Sequence, residues 1–151
     1  MTVANTLETI LEKQALKELV DTFANLADVK DVAAQGHLFT DDAKVVSHIK
    51  GQGTSEFIGK EAIVAGFSAF LANFNDVYHA NGQFLVTDLT DTTAQATHYC
   101  QVALTSEQDG VAKMTKFYIR YEDQYVKVDN NWKIAQRTSH FLIVENYDLA
   151  V

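Results

Sequence analysis

The second half of the chain reads as strand almost without a break, and this constrains the fold more than any other feature. Apolar and β-branched residues run through 76–89, 92–107, 112–128 and 131–145, parted only by polar reversals at Thr90-Asp91, Asp109-Gly110 and Asp129-Asn130. Reversals this short join antiparallel neighbours. The four segments therefore predict a long meander, which needs cover on its apolar faces. The 151 residues include no proline, so the turns fall to Gly, Asn and Asp.

The first half supplies that cover. Over residues 5–27, Leu7, Ile10, Leu11, Leu19, Val20, Phe23 and Leu26 form a helical stripe, with Glu8, Glu12, Lys13 and Lys17 largely off it. Asn5 followed by Glu8 has capping-box spacing. A short helix is expected over 29–38, a strand over 43–50 and a return strand over 55–58. A third helix should open at Gly59 and run to about Asn73, with Ile63, Phe67, Phe70 and Leu71 facing in. Residues 1–151 thus read as one α+β domain. Three N-terminal helices pack on a curved, mostly antiparallel sheet, and a pocket lies between them.

Composition narrows the partners. Twelve Lys+Arg against 20 Asp+Glu leave a formal charge of −8 and no basic stripe. That excludes nucleic acid and anionic membrane surfaces as partners. No apolar run reaches the roughly 18 residues of a membrane span, and no secretory signal opens the chain. The single cysteine, Cys100, fits a reducing compartment and a buried apolar role, so a cytoplasmic location is expected. His37, His48, His98 and His140 lack metal-ligand spacing, and no metal is expected.

The chemistry concentrates at Asp28 and His79. Asp28 ends the first helix in Phe23-Ala24-Asn25-Leu26-Ala27-Asp28, and His79 opens the first meander strand in Tyr78-His79-Ala80-Asn81. A carboxylate accepting from one imidazole nitrogen fixes the tautomer and frees the other nitrogen to take a proton. Each residue also has a plainer reading. Asp28 could cap the second helix, and His79 could be a satisfied core histidine. Among the sheet tyrosines, Tyr99 is the favoured donor to a substrate carbonyl. Arg137, on the last strand, could serve the site or pair with Asp123 or Glu122.

Several short motifs carry a family resemblance. Leu38-Phe39-Thr40-Asp41-Asp42-Ala43-Lys44-Val45, Gly59-Lys60-Glu61-Ala62-Ile63, Tyr78-His79-Ala80-Asn81, Asp91-Thr92-Thr93-Ala94 and Asn131-Trp132-Lys133-Ile134 occur in order along nearly the whole chain. Together they resemble the NTF2-like superfamily, and its SnoaL-like branch most. That branch is related to scytalone dehydratase, bile acid dehydratase and hexachlorocyclohexane dehydrochlorinase. The resemblance implies a cone-shaped fold and a homodimer formed through the outer sheet face. It implies a small apolar organic substrate and no cofactor. It also implies that His79 removes a proton while Asp28 orients it and Arg137 assists.

The resemblance also implies that His98 echoes a second meander histidine of scytalone dehydratase, and Phe23, Asn81 and Tyr99 join it as expected substrate contacts. Two departures stand out. Phe23 occupies a position where dehydratase-type members often carry Tyr or Lys. Val46-Ser47-His48 replaces the stretch that holds the aspartate base of the steroid-isomerase branch. The expected reaction is elimination or isomerisation by the Asp–His pair. The alternative is a non-catalytic small-ligand-binding or dimerisation module, because one fold hosts many functions.

Overall fold

Six strands form a single sheet in the order β2-β1-β6-β5-β4-β3. The computed structural model describes residues 5–150. Its elements are α1 (Leu7–Asp28), α2 (Val32–Gly36), β1 (Phe39–Ile49), β2 (Gly53–Ile58), α3 (Lys60–Leu71), β3 (Val77–Leu89), β4 (Thr93–Gln108), β5 (Val111–Val128) and β6 (Asn131–Asp148). β1 runs parallel to β6, and every other pairing is antiparallel. The sheet is therefore mixed, and the class is α+β as expected.

The meander turns follow from local chemistry. Asp109, Gly110, Asp129 and Asn130 all adopt positive φ, between 49° and 79°. Two consecutive residues of that kind make a hairpin turn whose twist matches the strands it joins. Strand alternation then sorts the faces. On β4 the residues Ala94, Ala96, His98, Cys100, Val102 and Leu104 are buried, so the odd-numbered ones point outward. On β5 the buried set is Phe117, Ile119, Tyr121, Asp123 and Tyr125.

Bulges change that parity. The β5–β6 register pairs Tyr125 with Ile134 but Gln124 with Gln136, leaving Ala135 as an extra residue. Trp132 and Ile134 are buried before the bulge, Arg137 and Ser139 after it. The bulge is what turns Arg137 inward.

The helices differ from expectation at their ends. Thr6, not Asn5, caps α1, in a reciprocal capping box with Thr9. Leu7, Ile10 and Leu11 stay 74%, 50% and 61% exposed, and α1 buries residues only from Leu16 onward. A polar clamp holds its start instead. Glu12 accepts from Trp132 Nε1 at 2.6 Å and from Lys127 Nζ at 2.9 Å. α2 is shorter than expected because Asp31 caps it, its side chain accepting from Ala34 N at 3.1 Å. Phe70 on α3 faces in toward Phe117, with ring centroids 6.2 Å apart, yet stays 42% exposed. The core that does form brings Phe23 of α1, Phe39 of β1 and Phe67 of α3 edge-to-face, with centroids 5.9–6.1 Å apart. No helix of the described residues is long and apolar enough to cross a membrane.

Candidate active site

The helix layer and the sheet enclose a cavity of about 100 Å³. Its wall is mostly apolar, with Phe23, Phe67, Val102 and Phe117 among its members. It is broken by a few polar groups: His79, Gln35, Arg137, Ser47, Ser139 and Tyr121.

His79 is the third residue of β3, and alternation places it on the inner face with Val77. Asp28 is the last residue of α1. The two meet: His79 Nδ1 lies 2.7 Å from Asp28 Oδ1, and the His79 backbone N–H donates to Asp28 Oδ2 at 3.2 Å. One carboxylate therefore grips both the ring and the backbone of the same residue. With Nδ1 engaged, Nε2 is the nitrogen left for proton transfer. Burial lowers the His79 pKa below its ordinary value, the Asp28 carboxylate opposes this, and the charge of Arg137 adds to the lowering. The ring is therefore neutral near pH 7, as a base must be. Asp31, not Asp28, caps α2.

Arg137 enters the wall from behind. Its Nε and Nη2 donate to the two oxygens of Asp123, each at 2.9 Å, as a bidentate pair. Its guanidinium lies between the rings of Phe23 and Tyr121, 4.5 and 4.2 Å from their centroids. Asp123 also accepts from the Tyr125 hydroxyl at 2.6 Å and lies 3.0 Å from His98 Nε2. Burial would raise the Asp123 pKa, but the charge of Arg137 and the hydrogen bonds from His98 and Arg137 outweigh it and hold the carboxyl well below the usual range. Arg137 therefore keeps its charge inside the protein with a counter-ion fixed beside it.

The remaining expected contacts separate. Phe23 lines the cavity. His98 does not; it is buried one layer back, stacked on Tyr121 at 4.7 Å and bound to Asp123. Asn81 faces α1, donating to Val20 O at 3.3 Å and Asp21 Oδ1 at 2.9 Å, so it ties β3 to the helix. Tyr99 is corrected most plainly. It sits on the outward parity of β4 and lines a separate groove on the far face with Gly82 and Tyr118. The alternation of β4 carried this signal already. Gln35 and Ser139 are wall residues that sequence reasoning missed. Gln35 sits on a five-residue helix too short to show a period, and Ser139 lies beyond the bulge that shifts the parity of β6.

The chain belongs to the SnoaL-like domain family, whose sequence profile matches residues 8–138. No curated protein matches its sequence. Among solved structures, a scytalone dehydratase candidate from Novosphingobium aromaticivorans superposes with a TM-score of 0.80 at 18% identity, covering 95% of this chain and 92% of that one. An aromatic ring hydroxylase candidate from the same organism gives 0.78 at 24% identity, covering 93% and 94%. A hexachlorocyclohexane dehydrochlorinase from Novosphingobium barchaimii gives 0.75 at 14% identity, covering 95% and 94%. These likenesses establish the NTF2-like fold. The three reactions named are different, so the chemistry has to be argued from the residues of this chain.

Proposed function

We propose that this chain is a lyase-type enzyme that eliminates a leaving group from a small, neutral, largely apolar organic molecule. The observation that carries the reading is the 2.7 Å contact between Asp28 and His79 in the cavity wall. His79 Nε2 takes a proton from a carbon beside an electron-withdrawing group. The C–H electron pair becomes the new C=C bond, and the leaving group departs from the adjacent carbon with its own bonding pair. Where that group is hydroxide, the imidazolium returns the proton to it and water leaves. Asp28 balances the imidazolium charge while it exists, and Arg137 supplies positive potential to the electron-withdrawing group. Isomerisation would use the same base, with the proton returned to a different carbon.

The test is a screen of small hydroxy- and keto-compounds for turnover. A base of this kind contributes about 10²–10⁴-fold, and His79→Ala should lose that much while its melting curve stays close to the wild type. Turnover that survives in His79→Ala would sink the acid–base reading.

A second reading, a non-catalytic pocket protein, has one observation in its favour. The cavity is only about 100 Å³, with five phenylalanines among its wall residues. We also infer that two copies pair through the outer sheet face, where Tyr78, Leu142 and Ile143 remain 65%, 46% and 54% exposed. Sedimentation at micromolar concentration should then give twice the 16.8 kDa chain mass, and a stable monomer would refute it.

A further inference from the structure

Three buried side-chain atoms have no hydrogen-bond partner among the described residues: Gln35 Oε1, Thr40 Oγ1 and His98 Nδ1. Of these residues only Gln35 belongs to the cavity wall. Its side chain is held in one orientation. Gln35 Nε2 donates to the backbone carbonyl of Phe23 at 3.1 Å, and a carbonyl cannot return a donor, so the amide cannot be flipped without opposing two oxygens. The short helix that carries it is clamped as well. A Cβ on the next residue, Gly36, would lie 2.7 Å from Val64 Cγ2, so α2 meets α3 at a distance only glycine permits. Gln35 is 1% exposed. A fixed, buried acceptor without a donor is a costly arrangement in a protein interior.

The other polar groups of the wall do not duplicate it. Ser47, Ser139 and Tyr121 bring hydroxyls to the wall, but a hydroxyl donates as well as accepts and turns to suit its partner, so none is a fixed acceptor. Arg137 offers only donors. His79 Nε2 is the basic atom on which the proposed elimination depends. Gln35 Oε1 is therefore a neutral acceptor available to a ligand in addition to the base. An acceptor of this kind recognises an O–H or N–H group. It does not stabilise a departing anion, so its effect falls on which ligand binds and how it sits, not on bond breaking.

We propose that Gln35 is the specificity-determining residue of this cavity, reading a hydroxyl or N–H donor on a small neutral ring through Oε1. The inference builds on the cavity used in the proposed function, but it concerns binding and needs no turnover. It favours hydroxylated or N–H-bearing ligands over halogenated or hydrocarbon ones of the same shape.

Phenol and fluorobenzene are matched probes that differ in the donor. Their affinities for the full chain are to be measured by titration followed by NMR. Phenol should bind about tenfold more tightly, the net worth of one hydrogen bond made inside the cavity. Gln35→Met keeps the length but has no amide, and should bring the ratio to about one while fluorobenzene affinity holds. Should Gln35→Met fail to fold, the wild-type Gln35 side-chain amide resonance decides, because phenol should move it and fluorobenzene should not. A phenol preference that persists in Gln35→Met would place the phenol hydroxyl on His79 or on a wall hydroxyl instead and overturn the inference. So would equal affinities, an unmoved Gln35 resonance, or no binding by either probe. The two proposals fail separately. If phenol reads Gln35 but no His79-dependent turnover exists, the lyase reading falls and this one stands. If turnover depends on His79 but the phenol preference ignores Gln35, the reverse holds.

Discussion

Among the described residues two Asp–His pairs form, one half-buried and one fully buried, and setting them side by side separates chemistry from architecture. Asp28–His79 and Asp123–His98 have similar closest approaches, 2.7 and 3.0 Å. Their surroundings differ. In the first pair His79 and Asp28 keep side-chain exposures of 10% and 25%, and the histidine forms part of the cavity wall. In the second the figures are 2% and 0%, and neither residue reaches the cavity. The carboxylate of the first pair serves one residue, through ring and backbone. The carboxylate of the second serves Arg137, Tyr125 and His98 together. A pair that can change its protonation state without breaking other bonds is suited to proton transfer. A pair bound into a cation and a phenol is suited to holding a shape.

If this division is right, the largest difference lies in stability. Removing one partner of a buried ion pair leaves the other charge uncompensated. Asp123→Ala should therefore lower the unfolding free energy by about 3–5 kcal/mol, read by urea titration at pH 7. Asp28→Ala breaks a neutral imidazole's hydrogen bonds at a partly exposed site and should cost about 1 kcal/mol. Equal losses would erase the distinction.

The next contrast is kinetic. Asp28→Asn keeps the size of the side chain and removes the charge that balances the imidazolium. With a substrate from the screen, kcat should fall about a hundredfold, about 2.7 kcal/mol of barrier, while KM changes little. A change confined to KM would make Asp28 a binding group and leave the catalytic reading without its orienting residue.

How far the sequence exposed this contrast depends on the element. The meander was legible because period-two alternation over long segments and paired Asp, Asn and Gly turns are local signals. Asp28 and His79 were legible as a helix end and a strand start, positions fixed by the same periodicity. The second pair was half-visible. Arg137 and Asp123 were weighed as cross-strand partners, but the extra residue at Ala135 decides which face Arg137 takes, and a bulge leaves little trace in an apolar pattern. Tyr99 fails in the opposite way, since choosing it among the sheet tyrosines for its hydroxyl leaves out the parity of its own strand. Leu7, Ile10 and Leu11 fitted the helical stripe yet stay exposed, because a periodic pattern does not tell how far the opposing layer extends.

The smallest expected effect is a pH dependence of stability with two windows, the histidines of both pairs acting in the upper one and Asp123 in the lower. Burial lowers the pKa of both His79 and His98 from the ordinary 6.5. For a histidine lowered in the folded state, the unfolded chain takes up the proton first as pH falls. Stability is therefore full above about 6.5 and declines as pH drops toward the folded value, by about 1.4 kcal/mol for each pK unit of lowering. Asp123 acts lower down. Its folded pKa is depressed, so its contribution is present above the unfolded value of about 3.9 and is lost as pH falls beneath it. Urea titrations at intervals from pH 8 to pH 3 should show two successive declines. His79→Gln should shrink the first, because only His98 then remains in that window, and leave the second untouched. A flat profile from pH 8 to pH 5 would mean that neither imidazole is shifted, and stability that rises on acidification would mean that both are held protonated against their aspartates. In the latter case His79 would not be the free base that its place in the cavity wall suggests.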